Sequence, residues 1–225
     1  METDKTDRVL ATLSMLIFSA ALGMVFFYAP QEATMGNIQR IFYFHLASAW
    51  VGFFGFFITF LASVTYLASR KRSWDILAHA STEVGLIFIT MTVLSGSLWA
   101  KPVWGTYWTW EPRLTISAVQ WFLYVAYVML RNLTPNQEQE ARFAAVYGVA
   151  AFATVPLSWF AIRWWRTIHP QILSGGSMAL TPRMQQTLLA SLIAFTFVYA
   201  ALLYERVKLA HEQEKFIALQ MEETR

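Results

Sequence analysis

The sequence predicts an all-α integral membrane protein with six transmembrane helices and both termini in the cytoplasm. Its 225 residues are 56% hydrophobic and only 14% charged, whereas soluble domains carry about 25% charged residues. The mean hydropathy is +0.41. A membrane-spanning helix needs about 20 apolar residues. Six stretches almost free of charge approach that length, at about 9–28, 41–67, 81–98, 114–130, 143–162 and 184–204. We therefore expect a single six-helix membrane domain over residues 1–225.

The six stretches follow one another with charged residues between them. The first has an apolar run of about 20 residues, longer than the 7–15 of a signal peptide, and no small-residue cleavage site follows it. We expect it to remain as a helix. The second ends before a basic anchor of Arg70, Lys71 and Arg72, and the third is uncharged over 84–98. After the sixth, residues 205–225 alternate charged and apolar side chains, which predicts a cytoplasmic helical tail.

The distribution of charge predicts the orientation. With the N-terminus in the cytoplasm, eleven Lys and Arg residues fall on the cytoplasmic side and six on the outer side, in agreement with the positive-inside rule. Twelve of the fourteen acidic residues also fall inside, so the cytoplasmic side sums to −1 and the outer side to +4. This basic outer face predicts an anionic ligand there. The net charge of +3 mainly reflects orientation charges, and we expect no nucleic-acid partner.

Tryptophan is concentrated on the same outer side. Seven of the ten tryptophans lie in or beside the second and third outer loops, namely Trp99, Trp104, Trp108, Trp110, Trp159, Trp164 and Trp165. An aromatic belt at the membrane interface is one interpretation, but a belt populates both faces, and four of these residues fall within twelve positions. Large rigid rings favour stacking on another flat π-system. The second loop therefore predicts an aromatic platform for a large, flat, apolar ligand.

The chain has four histidines and no cysteine. Without cysteine it can form no disulfide, no thiolate metal site and no covalent C-x-x-C-H haem attachment. His79 and His211 fall among charged residues on the cytoplasmic side, where we expect solvated roles. His45 and His169 fall at the outer boundary, on either side of the tryptophan-rich loop. Each alone is typical of an interfacial hydrogen-bonding residue, but a pair of imidazoles suits the axial positions of a haem iron.

Two outer arginines lie near these residues in the sequence. Arg40 precedes His45 by five residues, and Arg113 closes the tryptophan-rich segment. Haem carries two propionates, and a guanidinium binds a carboxylate bidentately, so both arginines are candidates for propionate contact. Snorkelling to lipid phosphates is an equal alternative for the remaining outer arginines, Arg163, Arg166 and Arg183.

Three segments resemble a superfamily of haem-handling proteins that carries a tryptophan-rich WGxxWxWD signature. Residues 104–115 read WGTYWTWEPRLT, and they are flanked by RIFYFHLASAW at 40–50 and WWRTIHP at 164–170. The flanks and the length are similar to those of the cytochrome c maturation protein C family, also called haem exporter protein C. The CcsA/ResC proteins of the other cytochrome c synthesis pathway are the alternative. Glu111 stands where the motif has aspartate, and Tyr107 stands where it has the first of two paired tryptophans.

The resemblance implies a task in cytochrome c biogenesis without enzymatic activity. Members of the family bind haem b transiently at the outer face of the cytoplasmic (inner) membrane and load it onto a membrane-anchored haem chaperone. They work with ATP-binding-cassette ATPase and permease subunits and with a small single-helix subunit. The resemblance makes His45 and His169 the axial ligands. It assigns an aromatic platform against the haem to Trp104, Tyr107, Trp108 and Trp110. It makes Arg40, Arg113 and Glu111 candidates for contact with a propionate or with the chaperone.

The residues alone leave two other classes of protein open. A b-type haem redox protein usually buries more than one bis-histidine haem, whereas the first, third, fourth and sixth stretches contain no histidine. A solute or haem transporter needs intramembrane charges, and Glu83 and Gln120 are the candidates, although interhelical hydrogen bonding is the favoured interpretation for both. No residues resemble a nucleophile or an acid–base pair, so we do not expect an enzyme.

Overall fold

The computed structural model describes residues 5–131, 136–165, 167–169, 173–174, 177–178 and 180–223. Seven α-helices make up most of this part of the chain: α1 Lys5–Gly23, α2 Arg40–Ser69, α3 Arg72–Trp104, α4 Pro112–Leu130, α5 Gln137–Phe152, α6 Thr154–Trp164 and α7 Pro182–Glu223. A π-helical turn at Met24–Tyr28 extends α1, and a 3-10 turn at Asn37–Gln39 precedes α2. Two short strands that the sequence did not predict, β1 Leu173–Ser174 and β2 Ser177–Met178, pair antiparallel before α7.

Six helical segments among the described residues are long and apolar enough to cross a membrane, which confirms the predicted all-α class with six spans. The fifth segment is α5 and α6 together. The helix is interrupted at Ala153, because Pro156 has no N–H to donate to the carbonyl four residues earlier. Six spans bring both ends of the chain to one side of the bundle, which we call the termini end. The opposite side, where α3 leads into α4, is the loop end.

The two central helices, α2 and α3, approach each other closely. A Cβ added at Gly55 would lie 3.1 Å from the Cα of Gly85, so the two backbones are in contact, as small residues allow in membrane bundles. The connection between α2 and α3 is short. Arg70 takes the left-handed conformation at φ 56°, and its N–H donates to the Tyr66 carbonyl at 2.8 Å. Helices α5 and α7 pack against α2, α1 packs against α7, and α4 packs against α3 and α6.

Three helices are longer than the stretches that predicted them. α3 begins at Arg72 instead of near residue 81, α5 begins at Gln137 instead of near residue 143, and α7 runs unbroken through the predicted tail to Glu223. Asn136 caps α5, since its side chain accepts hydrogen bonds from two backbone N–H groups at 3.0 and 3.2 Å. These helices therefore continue into charged sequence. Residues 1–4, Arg166 and residues 224–225 lie outside the described part of the chain.

Ion pairs join the helices at the termini end. Arg131 donates to both carboxylate oxygens of Asp75 at 2.6 and 2.8 Å, and Arg72 bridges Asp75 to Glu214 of α7, the latter at 2.7 Å. Burial alone would lower the pKa of Arg131, but the hydrogen bonds and charge of Asp75 outweigh burial and raise it. Arg131 therefore stays charged, and its hydrogen bonds to Asp75 hold α3 to the end of α4.

Candidate functional site

A cavity opens at the loop end between α2, α3, α4 and the segment that follows α6. It contains about 1070 Å³ of space not filled by protein atoms, open solvent at its mouth included. Most of its walls are apolar or aromatic. Of the nine residues that the resemblance assigns to the site, six line the cavity, namely His45, Trp104, Tyr107, Trp108, Arg113 and His169.

Helix α3 holds the His45 ring in a defined orientation. The Nδ1 atom of His45 lies 3.0 Å from the carbonyl oxygen of Thr92 and 3.2 Å from the hydroxyl of Ser95. The Ser95 hydroxyl donates to the carbonyl of Met91 at 2.6 Å, so its oxygen accepts from the histidine. Because both neighbours accept, Nδ1 carries the proton, and Nε2 keeps its lone pair. His45 is thus prepared as an electron-pair donor on the cavity wall.

Gly96 allows this close contact between His45 and α3. A Cβ at Gly96 would lie only 2.9 Å from Cε1 and 3.2 Å from Nδ1 of His45. Any larger side chain at this position would displace the imidazole. Neither Gly96 nor Thr92 carries a signal in the sequence, because their contribution depends on which face of α3 meets α2.

His169 reaches the same cavity from the segment that follows α6. Its ring centre lies 6.4 Å from that of His45 and 6.5 Å from that of Trp104. The backbone N–H of His169 donates to the Thr167 hydroxyl at 3.0 Å, which shapes the segment after α6. The structure therefore brings together the two outer histidines that the sequence places at equal depth.

The tryptophan-rich loop folds back over the cavity between α3 and α4. Gly105 ends α3 in the left-handed conformation at φ 76°, and its N–H donates to the Lys101 carbonyl at 3.0 Å. Glu111 then takes an extended conformation, and Pro112 begins α4, where the lack of an N–H carries no penalty. The loop is therefore short and held at both ends.

The rings of this loop do not share one plane. Trp99 and Trp104 meet edge to face, with centres 5.4 Å apart and planes at 87°. Trp108 and Trp110 meet at 5.7 Å and 75°. Trp104 and Trp108 line the cavity, as does Tyr107 at its rim, whereas Trp110 is 75% exposed and lies outside the lining. The inner rings can contact a ligand, and Trp110 is available to the surroundings.

The two candidate arginines have different surroundings. Arg113 lines the cavity and donates to the carbonyl and the hydroxyl of Ser158, the latter at 3.1 Å, which ties α4 to α6. Arg40 lies outside the lining, and its guanidinium lies 5.7 Å from the ring centre of Phe26, a cation–π contact. Of the two, the geometry brings only Arg113 to the cavity.

Several buried polar atoms near the cavity have no hydrogen-bond partner among the described residues. They are both carboxylate oxygens of Glu111, the indole N–H groups of Trp99 and Trp108, and the side-chain nitrogen of Gln120. Such groups are rare in folded proteins and mark a ligand or water that completes them. Trp99, Trp108 and Gln120 line the cavity, so they offer hydrogen-bond donors to its contents. Glu83, the other candidate for a transport path through the membrane, lies at the termini end, where it pairs with Arg206 at 2.6 Å.

The fold and the cavity define a class: a multi-pass helical membrane protein with a histidine-bearing, aromatic ligand cavity at one end of its bundle. The chain belongs to the heme exporter protein C family, whose family model matches residues 2–222. It is 31% identical over 176 residues to Heme exporter protein C of Bradyrhizobium diazoefficiens, covering 77% of this chain and 67% of the relative. It is 27% identical over 200 residues to Heme exporter protein C of Escherichia coli K12, covering 88% and 81%.

A third relative extends the comparison to a mitochondrial protein. The chain is 25% identical over 162 residues to a putative cytochrome c biosynthesis ccmC-like mitochondrial protein of Marchantia polymorpha, covering 72% of this chain and 68% of the relative. Membership of this family places the chain in the haem-handling part of cytochrome c biogenesis and at a membrane. It also decides against the CcsA/ResC alternative.

Proposed function

We propose that the chain binds haem b transiently and non-covalently in the cavity, with His45 and His169 as axial ligands. The observation that supports this most strongly is the 6.4 Å between the centres of the two imidazole rings. Two metal–imidazole bonds of about 2.0–2.1 Å each take up about 4 Å, and the two ring radii account for the remainder. A single iron ion fits that separation.

The chemistry of the surrounding groups supports the same ligand. The Thr92 carbonyl accepts from Nδ1 of His45, and such a partner fixes the tautomer of a metal-binding histidine and raises its basicity. No group of three or more His, Asp or Glu side chains within the described ranges could hold a metal ion by itself. A porphyrin supplies four ligands of its own, so two imidazoles would complete the coordination of its iron.

The walls of the cavity suit the remainder of a haem molecule. Trp104, Tyr107 and Trp108 would contact the macrocycle, whereas Trp110, the fourth member of the expected platform, lies outside the cavity lining. Arg113 would bind a propionate by exchanging its bond to the Ser158 carbonyl for a bidentate one. The unpaired indole N–H of Trp108 is a second donor for an anionic oxygen.

We further propose that the haem site faces the extracytoplasmic side of the cytoplasmic membrane. The cavity lies at the loop end, and eleven of the seventeen Lys and Arg residues fall on the side of the termini, which the positive-inside rule assigns to the cytoplasm. A membrane-anchored haem chaperone would then dock on the exposed Trp110, with Arg40 as a further contact. The carboxylate oxygens of Glu111 are buried, so this residue would support the docking surface from behind. ATP-binding-cassette ATPase and permease subunits and a small single-helix subunit complete the proposed assembly. The chain itself delivers haem, and any ATPase activity lies in a partner.

Single substitutions of the two histidines test the proposal. His45→Ala and His169→Ala should each abolish the low-spin bis-histidine absorption spectrum of the purified protein. Each should also prevent covalently loaded chaperone from accumulating when the two proteins are co-expressed. His211→Ala, at the termini end, is the matched control and should retain both properties. Normal chaperone loading by both single variants would contradict the axial-ligand assignment.

A further inference from the structure

The inward face of α4 carries a continuous row of polar side chains. Ser117, Gln120, Tyr124 and Tyr127 follow one another at intervals of three or four residues, between Arg113 and Arg131, which places all six on one side of the helix. Gln120 is 1% exposed and both tyrosines are 0% exposed. The nineteen residues from Arg113 to Arg131 correspond to about 27 Å of helix, close to the hydrocarbon thickness of about 30 Å.

Neighbouring helices add polar groups to the same row. A Cβ at Gly148 of α5 would lie 3.1 Å from the Ser63 hydroxyl, 3.1 Å from the Tyr127 ring and 3.6 Å from Thr59. These side chains therefore converge beside α5. The hydroxyl of Thr59 also lies 3.0 Å from that of Thr82. Ser63 of α2 and Thr82 of α3 thus lie beside the Tyr127 end of the row.

Four polar groups along this row are buried without a hydrogen-bond partner among the described residues. They are the side-chain nitrogen of Gln120 and the hydroxyls of Tyr124, Tyr127 and Ser63. The Tyr127 hydroxyl also lies within reach of Thr82 and Arg131. Inside a membrane bundle an unpaired polar group costs several kcal/mol, and ordered water is the usual partner that removes this cost.

The row connects two distinct parts of the molecule. Gln120 forms part of the cavity lining at the loop end. Arg131 ends the row at the termini end, where its charge is balanced by Asp75 at 2.6 Å and by Glu140 at 3.2 Å. Arg113 lies two helical turns from Gln120, on the side away from Arg131, and it donates a hydrogen bond to Ser158. A fixed guanidinium of this kind opposes the passage of protons.

We propose that a file of bound water runs along the inward face of α4 and gives protons access to the cavity from the termini end. Arg113 closes the path beyond the cavity, so protons reach the cavity without crossing the whole membrane. The proposal does not depend on which ligand the cavity holds.

Radiolytic hydroxylation of the wild-type protein in lipid nanodiscs tests for the water. X-ray pulses generate hydroxyl radicals from water in place, so side chains beside bound water are labelled even when they are buried. Tyr124 and Tyr127 should be labelled clearly faster than Tyr199, which is 1% exposed and whose hydroxyl is paired with Ser81 at 2.7 Å. Equal labelling of all three tyrosines would overturn the proposal.

Proton uptake by proteoliposomes under an imposed membrane potential tests the path. Arg113→Gln removes the closing charge and should raise uptake above the wild-type level. Adding Tyr124→Phe and Tyr127→Phe removes two hydroxyls that the water file would contact, so uptake should return to that of protein-free liposomes. Both changes keep the aromatic rings, so the packing of the helices should be retained. Adding Tyr199→Phe instead should leave the raised uptake unchanged. The path is refuted if Arg113→Gln conducts no better than wild type, or if its conduction survives loss of both hydroxyls.

Discussion

Replacing Gly96 by alanine should weaken haem binding, because the new methyl group would displace the His45 ring. The added Cβ would lie 2.9 Å from Cε1 of His45, whereas ordinary contacts begin at 3.4 Å. The ring must therefore retreat by about 0.5 Å. A retreat along the hydrogen bond would lengthen the 3.0 Å contact between Nδ1 and the Thr92 oxygen to about 3.5 Å, beyond the normal range of such bonds.

The expected size of the effect follows from these two losses. Overpacking a well-packed site costs about 1–3 kcal/mol, and a neutral hydrogen bond contributes about 0.5–1.5 kcal/mol. Because a change of about 1.4 kcal/mol is tenfold in affinity, a total of about 1.5–4.5 kcal/mol at the ligating ring weakens haem binding about 10- to 2,000-fold. The bis-histidine spectrum should change at the same time.

Haem titration in detergent, followed by absorbance, measures this effect against two controls. Gly23→Ala adds a methyl group with no atom within 4 Å and should leave the affinity unchanged. Gly148→Ala crowds Ser63 and Tyr127 at 3.1 Å, away from the cavity, and should lower the thermal stability with little change in haem affinity. Wild-type affinity in Gly96→Ala, or an equal loss in Gly148→Ala, would refute the proposed support of His45.

Three further predictions concern separate parts of the structure. Asp75→Asn removes the bidentate partner of the buried Arg131 and leaves only Glu140, at 3.2 Å, to balance its charge. The fold should be destabilised by up to about 3–5 kcal/mol, measured by thermal unfolding in detergent, and adding Arg131→Gln should recover part of this loss. Trp108→Ala should weaken haem binding in the same titration. Trp110→Ala should preserve haem binding and reduce chaperone loading. Equal effects of the two substitutions would contradict their different placement. Arg113→Lys keeps the charge but not the planar fork, so haem affinity should fall even though the net charge is unchanged.

The sequence predicts the depth of a residue in the membrane better than the direction in which its side chain points. Counting residues from the ends of the apolar stretches gives His45 and His169 matching depths, and their rings lie 6.4 Å apart. Arg40 has a similar depth, but five residues separate it from His45, which corresponds to about 140° around a helix. Its guanidinium accordingly lies over Phe26, away from the cavity lining.

The class of fold is predictable because the length and apolar character of six stretches leave few alternatives. The ends of the helices are less predictable, since charged sequence stays helical wherever its side chains find partners, as Asp75 does with Arg131. The support of His45 has no sequence signal at all. A threonine carbonyl and a glycine on α3 become part of the site only through the packing of α3 against α2.

The length of α7 has a mechanical consequence. Its 42 residues form about 63 Å of helix, roughly twice the thickness of the hydrocarbon layer of about 30 Å. No glycine or proline occurs between Arg183 and Glu223, so the helix has no built-in hinge. It therefore forms one continuous rod, and a force applied to its charged half at the termini end would be transmitted to the part that lies inside the bundle.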